Sequence, residues 1–278
     1  MYRKSVLAVV IGLVLVAAVQ AQDNTTITQP GNANEAAIVQ LSDDLTLLAT
    51  IDQPGNENEA MILQMGGFGN TASIIQGANL SEAMIMQEGG IGNTATITQN
   101  APGADNYAFI WQDEGENNVA TLTQTGSDNY GSIMQNEGLN NSATLTQNGN
   151  GNGEEVDAMA LPTQAAGVAQ AEYLAGVCFG EWSIFQCGFD LTATADVTGN
   201  ENNTFQYQEG EGHLASITIN GNENCAFQAQ CGFEPTTSTI TITGNGNSVG
   251  QFQWGGTVST VDVTGNFNSA CVVSGLCF

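Results

Sequence analysis

One short phrase recurs along the first half of the chain and constrains its fold more than any other feature. A small residue, an aliphatic residue and a glutamine stand at alternate positions, and the glutamines follow one another at steps of eleven to thirteen residues. Because successive side chains of a β-strand point to opposite faces, this spacing places all three residues on one face of a strand. The glutamines are Gln29, Gln40, Gln53, Gln64, Gln76, Gln87, Gln99, Gln112, Gln124, Gln135 and Gln147.

The aliphatic residue stands two positions before every one of these glutamines. Between the phrases lie Gly, Asn, Asp and Pro, which favour turns. Units too short to bury a face alone are typical of stacked solenoids. We therefore predict an all-β, strand–turn–strand β-solenoid with about 23 residues per rung. Its aliphatic residues are Ile27, Ile38, Ile51, Ile62, Ile74, Ile85, Ile97, Ile110, Leu122, Ile133 and Leu145.

The recurring glutamines are predicted to stack on one another between two facing sheets, about 4.8 Å apart. A primary amide carries both donors and an acceptor, so each side chain can hydrogen-bond to the one above and the one below. An isolated buried glutamine would cost free energy, whereas a stacked one is satisfied. We therefore expect a structural ladder of these glutamine and aliphatic side chains.

The phrase resembles a known repeat. Residues 29–40 read Gln-Pro-Gly-x-x-Asn-x-Ala-x-x-x-Gln, and residues 53–64 read the same. Both resemble the curlin repeat, Gln-x-Gly-x-x-Asn-x-Ala-x-x-x-Gln, in every fixed place, and residues 124–135 match with Gly131 in place of Ala. The serine that usually opens the family's unit is mostly Asn here. The sequence thus leaves open whether the subunit is a major or a nucleating one.

The resemblance implies a secreted structural subunit of curli-like extracellular amyloid fibres, which serve cell adhesion and biofilm matrix. The implied location is an extracellular, pilus-like or fimbrium-like fibre at the cell surface. Implied partners are further copies of the chain, other curlin-like subunits, and an outer-membrane secretion and assembly machinery. The resemblance implies no cofactor and no small-molecule substrate.

Residues 1–21 are predicted to be a secretory signal peptide. Arg3 and Lys4 precede an apolar run, and a small-residue cleavage site ends at Ala21. Cleavage there removes the only two basic side chains, so the formal charge of the mature chain becomes 0 − 28 = −28. Such a charge excludes nucleic acid as an electrostatic partner.

The rest of the chain divides into three predicted segments: a curlin-like repeat block at residues 22–148, a linker or cap at 149–176, and a diverged, cysteine-containing repeat block at 177–278. In the last segment Gly-Asn pairs begin at Gly199, Gly221, Gly244 and Gly265, at steps of 21 to 23 residues. At every other position that corresponds to a recurring glutamine of the first block, the second block has Val or Ile. We therefore expect the core of the second block to contain fewer buried polar side chains.

All six cysteines lie in the second block. An even number in an exported chain favours disulfides. Equivalent cysteines fall on alternate rungs, about 9.6 Å apart and beyond disulfide reach, which favours local pairs although the strand must then bend. A zinc site is the alternative, but the block has one histidine and no Cys-x-x-Cys. The predicted pairs are Cys178–Cys187, Cys225–Cys231 and Cys271–Cys277.

The outward positions sort into two faces. One is apolar, as at Met84, Met86, Phe109 and Trp111, and is predicted to serve in lateral packing or adhesion unless a flanking segment covers it. The other is rich in threonine, which makes an ice-binding β-solenoid an alternative to the fibre; a non-fibrous surface adhesin is a further alternative. We do not expect an enzyme. The predicted mature chain has no Arg or Lys, so His213 is the one basic side chain that could act in catalysis, and it is predicted to be exposed in a glycine-rich turn.

Glu35, Glu59 and Glu82 occupy equivalent outward places in successive rungs. Stacked about 4.8 Å apart, neighbouring carboxylates repel by about 1 kcal/mol even in water. Their pKa values are therefore predicted to rise on stacking. Divalent cations could bridge the column through oxygen ligands, which is the one weak metal site that the sequence offers.

Overall fold

The computed structural model describes residues 24–41, 46–153 and 183–275. These ranges form two ten-stranded parallel sheets, with odd-numbered strands in sheet A and even-numbered strands in sheet B. Across the same ranges, no helix has the length and apolar character needed to cross a membrane. The predicted signal peptide at 1–21 lies outside the described residues, as does most of the predicted linker at 149–176.

Sheet A takes the first strand of each rung. Its strands are β1 (Asn24–Thr28), β3 (Leu48–Asp52), β5 (Thr71–Gln76), β7 (Thr94–Asn100), β9 (Val119–Thr125), β11 (Ser142–Asn148), β13 (Thr192–Thr198), β15 (Leu214–Asn220), β17 (Thr237–Thr243) and β19 (Val258–Thr264). Sheet B takes the second strand. Its strands are β2 (Glu35–Leu41), β4 (Glu59–Met65), β6 (Glu82–Glu88), β8 (Tyr107–Asp113), β10 (Tyr130–Leu139), β12 (Ile184–Phe189), β14 (Asn203–Glu211), β16 (Cys225–Gly232), β18 (Ser248–Trp254) and β20 (Ser269–Ser274).

The register confirms the predicted β-solenoid. In sheet A, Ala49 lies opposite Ala72 and Ile51 opposite Ile74, so one turn takes 23 residues. Burial alternates along most strands, and in β7 the small, aliphatic and amide residues face inward and the threonines face outward. The aliphatic column from Ile51 to Leu145 is buried throughout. Each such side chain contributes about 1.5–3 kcal/mol by leaving water, which makes the apolar columns the main driving force for stacking.

Glycine is required at the tightest corners. Gly55 has its Cα beside the next rung, and a Cβ there would lie 1.8 Å from the carbonyl oxygen of Ala78. No side chain can be accommodated at that distance, so the Gln-Pro-Gly corner tolerates glycine alone. Neighbouring turn positions such as Glu57 have a positive φ of 56°, a conformation that costs most residues about 1–2 kcal/mol.

The two repeat blocks form one continuous stack. Strand β11 pairs directly with β13, and β10 pairs with β12, although residues 154–182 intervene in the sequence. Pairing of β10 with β12 shifts register between Asn136 and Leu139. The diverged block therefore continues the same ladder of strands.

The expectation that the core of the second block contains fewer buried polar side chains is wrong. Val197, Ile219, Ile242 and Val263 do replace the glutamines of sheet A, but sheet B gains a new inward column of Gln206, Gln228 and Gln251, all three fully buried. The reason is the period of two in each Gln-x-Gln segment. Because both glutamines of such a segment face inward, each of these rungs keeps two buried amides.

The predicted disulfide pairs are not formed. Cys187 and Cys271 are free thiols, and their expected partners, Cys178 and Cys277, lie outside the described residues. Cys225 is disulfide-bonded, but not to Cys231, because the two stand at opposite ends of the unbroken strand β16. Six residues of strand span about 20 Å, far beyond disulfide reach. The strand does not bend as the local pairing required.

Candidate functional site

The longest feature of the interior is a ladder of glutamine side chains in sheet B. Each Nε2 donates to the Oε1 of the next rung, at distances between 2.7 and 3.2 Å. The ladder crosses the join between blocks without a break, because Gln135 donates to Gln186 at 2.9 Å. Its members are Gln40, Gln64, Gln87, Gln112, Gln135, Gln186, Gln208, Gln230 and Gln253.

Two shorter ladders have the same geometry. In sheet A the chain of bonds has Nε2–Oε1 distances of 2.7 to 3.0 Å. It links Gln29, Gln53, Gln76, Gln99, Gln124 and Gln147. In sheet B the second block adds Gln206, Gln228 and Gln251, with distances of 3.0 and 3.2 Å. The ladder glutamines from Gln29 to Gln147 were predicted as such, and those of the second block were not.

Most ladder amides also donate to backbone carbonyl oxygens of the facing sheet. Gln112 Nε2 lies 3.1 Å from the carbonyl oxygens of both Thr94 and Asn118, and 2.8 Å from Gln135 Oε1. Its side chain has no exposed surface. Removing one partner would leave buried polar groups unsatisfied, at about 1–3 kcal/mol for each group.

The hydrogen bonds of each ladder all run in the same direction. Because every Nε2 points toward the C-terminal side, each column begins with an Oε1 that has no glutamine donor on a preceding rung and ends with an Nε2 that has no glutamine acceptor on a following rung. Gln40 Oε1 and Gln206 Oε1, at the starts of two columns, are buried without a hydrogen-bond partner, and so is Gln251 Nε2 at the end of one. An unpaired oxygen thus marks the first rung of the described structure.

Asparagines form parallel ladders at the corners. Asn58 Oδ1 accepts the backbone N–H of Ser81 at 2.9 Å, and Asn58 Nδ2 donates to the carbonyl oxygen of Ala78 at 2.8 Å. An exposed ladder follows the Gly-Asn turns of the second block. There each backbone N–H donates to the next Oδ1 at 2.8 to 2.9 Å. Its members are Asn200, Asn222, Asn245 and Asn266.

The single histidine occupies an asparagine place in such a corner. His213 Nδ1 accepts the backbone N–H of Thr236 at 3.2 Å, and Nε2 lies 3.1 Å from the carbonyl oxygen of Glu209. The first contact fixes Nδ1 as the acceptor, so Nε2 carries the proton in the neutral ring. Burial lowers the pKa of His213, although its hydrogen bonds to the backbone oppose the shift.

The expected exposure of His213 is wrong, since only 1% of the residue is accessible. The burial of His213 could have been predicted from the alignment of the two repeat blocks. Residues 213–215 align with residues 93–95, so His213 takes the position of Asn93, which is also buried. Composition alone pointed to a turn, and turns in this solenoid contain buried corner positions.

The carboxylate column exists as predicted. Glu35, Glu59 and Glu82 are neighbours in register, and the stacked rings of Tyr107 and Tyr130 continue the line with centroids 4.6 Å apart. Burial, then Glu82 and Glu35, raises the pKa of Glu59. The cation column is not supported, because nowhere in the described ranges do three or more His, Cys, Asp or Glu side chains form a group able to hold a metal ion.

Thiols alternate with a carboxylate on the outer face of sheet B. Cys187 and Cys231 lie on either side of Glu209 in register, as the alternate-rung spacing predicted. Tyr207 donates its hydroxyl to Glu209 Oε2 at 2.7 Å. Burial, then Glu209 and Glu137, raises the pKa of the Cys187 thiol. A thiol with a raised pKa is mostly protonated at neutral pH and is a poor nucleophile.

The two outer faces differ as predicted. Sheet B presents apolar and aromatic side chains, and Phe205 stacks on Phe227 with ring centroids 5.3 Å apart. Sheet A presents an unbroken column of hydroxyl side chains across all ten strands. They are Thr26, Thr50, Ser73, Thr96, Thr121, Thr144, Thr194, Ser216, Thr239 and Thr260.

Comparison with known families identifies the repeat. Residues 46–77, 90–126 and 115–149 match the family model of the Curlin associated repeat. The chain carries curlin repeats. The matched ranges hold strands β3 to β5 and β7 to β11 of the glutamine ladders, which confirms the resemblance found in the sequence. No curated protein matches the chain.

The carboxylate column should make assembly of the curlin repeats depend on pH. The pKa of Glu59 is higher in the fold than in the unfolded chain. Its contribution to stacking is therefore complete below the unfolded value of about 4.3 and is lost as the pH rises through the raised value. Changing Glu35, Glu59 and Glu82 together to Gln should weaken this dependence in light-scattering assays between pH 4 and 7.

The matched control changes Glu116, Glu137 and Glu201 to Gln, which removes the same charge outside the column. If both triple variants respond to pH alike, the total charge of the chain, and not the column, sets the response.

His213 should make the second block sensitive to acid in the opposite sense. Because its pKa is lowered by folding, its contribution to stability is complete above the unfolded value of about 6.5 and is lost as the pH falls through the folded value. Protonation also removes the acceptor of the Thr236 N–H. Amide hydrogen exchange at Thr236, corrected for intrinsic rates, should quicken about fivefold to tenfold between pH 7 and 5.

The His213→Asn variant supplies an oxygen acceptor at the same corner and should keep this amide protected at both pH values. Equal acid sensitivity in the parent and this variant would show that His213 does not control the corner.

Proposed function

We propose that the chain is a secreted structural subunit of extracellular, curli-like amyloid fibres that serve cell adhesion and biofilm matrix. Its partners are further copies or other curlin-like subunits, exported and assembled by an outer-membrane machinery of the kind that the family uses. The observation that carries the proposal is a parallel stack of repeats whose amide ladders run through the described structure and stop at unpaired edges.

Those edges explain why such a subunit polymerises. Among the described strands, β1 pairs on one side only, with β3, and all five of its residues are exposed. Within the described ranges, β20 likewise pairs with β18 alone. Unpaired strand edges bind further strands, and a repeat that already stacks on itself supplies strands in matching register. Growth along the stack therefore extends the same two parallel sheets.

A second candidate is an ice-binding solenoid, which the unbroken hydroxyl column of sheet A favours. Thr50 Oγ1 donates to Ser73 Oγ at 3.0 Å, so neighbouring hydroxyls are held in a regular array. The adjoining outward column is less regular, because Asp52, Ile75, Asp196 and Asp262 interrupt it. This interruption makes the fibre the preferred function.

Purified mature protein should polymerise after a lag phase. Its fibres should give cross-β reflections near 4.8 and 10 Å, the spacings between strands and between sheets. Fibre diffraction, with thioflavin fluorescence for the time course, measures both. A protein that stays monomeric for days at tens of micromolar would contradict the proposal, and thermal hysteresis by that monomer would establish the ice-binding alternative.

A further inference from the structure

The interior contains both possible junctions between a glutamine and an apolar residue in one column. In sheet A, Gln147 is followed in the next rung by Val197. Gln147 Oε1 accepts from Gln124 at 2.9 Å, and its Nε2 donates to the carbonyl oxygens of Tyr130 and Asn152 at 2.9 and 3.2 Å. Gln147 is therefore fully satisfied before an apolar residue, whereas Gln251, which precedes Val272, keeps a buried Nε2 without a partner.

The reverse order occurs in sheet B, where Ile184 is followed by Gln206. Gln206 Nε2 donates to Thr194 and to Gln228, both at 3.0 Å. Its Oε1 faces the apolar rung and is buried without a partner. The cause is the direction of the hydrogen bonds along the ladder. Only a glutamine on the preceding rung can present an Nε2 donor to that oxygen. An apolar residue followed by a glutamine thus leaves a buried acceptor unsatisfied.

The first described rung presents two such acceptors. Gln29 directly follows strand β1, Gln40 is the last inward residue of β2, and both donate from Nε2 to the following rung at 2.7 Å. Their Oε1 atoms consequently point away from the following rung; Gln29 is exposed there, whereas Gln40 Oε1 is buried without a partner. A rung that stacks on this edge completes both columns only if it carries donors at the same two places.

The last described rung does not carry those donors. In register with the ladders, β19 has Val263 and β20 has Ser274. Stacking a second copy on this edge would put Val263 before Gln29, which is the unsatisfied order seen at Ile184 and Gln206. The hydroxyl of Ser274 can donate to only one of the two oxygens.

The other inward positions do not discriminate. Ser259, Val261, Ala270 and Val272 of the last rung match Thr25, Ile27, Ala36 and Ile38 of the first in size and polarity. A regular curlin rung, with Ala and Ile in these places, fits equally well. Selection between partners therefore falls on the two glutamine positions.

We propose that the edge formed by β1 and β2 binds a rung that ends both of its strands in glutamine, as in the last rung of a regular curlin-repeat chain, in preference to the last rung of a second copy. The inference rests on the proposed fibre function and names the partner of its growing edge. The chain then adds to the end of fibres built by another curlin-like subunit, and its own last rung grows poorly.

The test uses preformed fibres of a regular curlin-repeat chain whose last rung has glutamine in both sheets, and matched fibres in which those two glutamines are valine. The mature protein should extend the glutamine-ended fibres at least about tenfold faster than the valine-ended ones, or than fragments of its own fibres, because one unsatisfied buried acceptor costs about that factor. Single-fibre fluorescence microscopy measures each rate.

Changing Val263 and Ser274 together to Gln supplies the missing donors, so self-seeded extension should rise about tenfold. The control Val258→Gln adds an amide outside the ladder, at a residue that is 78% exposed, and should leave the rate unchanged. Equal extension of all fibres by the parent, or no gain in the double variant, would overturn this inference alone. Failure to extend any fibre or to form fibres unseeded would overturn the proposed function with it.

Discussion

The structure depends on one constraint: a primary amide can be buried only when its donors and its acceptor are satisfied. In this chain an identical side chain one rung away meets most of that requirement, and backbone carbonyls of the facing strand meet the rest. Gln53, for example, donates to Gln76, Glu35 and Asn58 within 3.2 Å. Such a bond exists only when rungs stack in register, so the amides select one alignment among many.

The apolar and amide columns contribute to stacking in different ways. Each buried isoleucine contributes about 1.5–3 kcal/mol wherever it meets an apolar surface, but this interaction has little direction. A ladder hydrogen bond has a smaller net value, about 0.5–1.5 kcal/mol, whereas a misplaced amide loses its partners at about 1–3 kcal/mol for each buried group. The aliphatic residues therefore drive stacking, and the glutamines determine which rung may stack on which. The second block keeps both roles by moving one glutamine column from sheet A to sheet B.

Spacing in the sequence was enough to predict the solenoid, its period and every ladder residue of the first block, because side-chain direction in a strand follows from position alone. It was not enough for His213, whose burial depends on the corner ladder formed by rungs above and below. The Gln206, Gln228 and Gln251 column could have been found from its Gln-x-Gln period. The disulfide pairs could not be predicted, because they required knowing whether β16 stays straight.

One amide ladder joins the two blocks across residues 154–182. Solid-state NMR of fibres with labelled glutamine side chains, assigned at Gln135 and Gln186, tests it most directly. The account predicts a through-space contact between Gln135 Nε2 and the side-chain carbonyl of Gln186, which lie 2.9 Å apart from nitrogen to oxygen. Absence of that contact in ordered fibres, or contact of Gln135 with a different glutamine on its donor side, would contradict the continuous ladder.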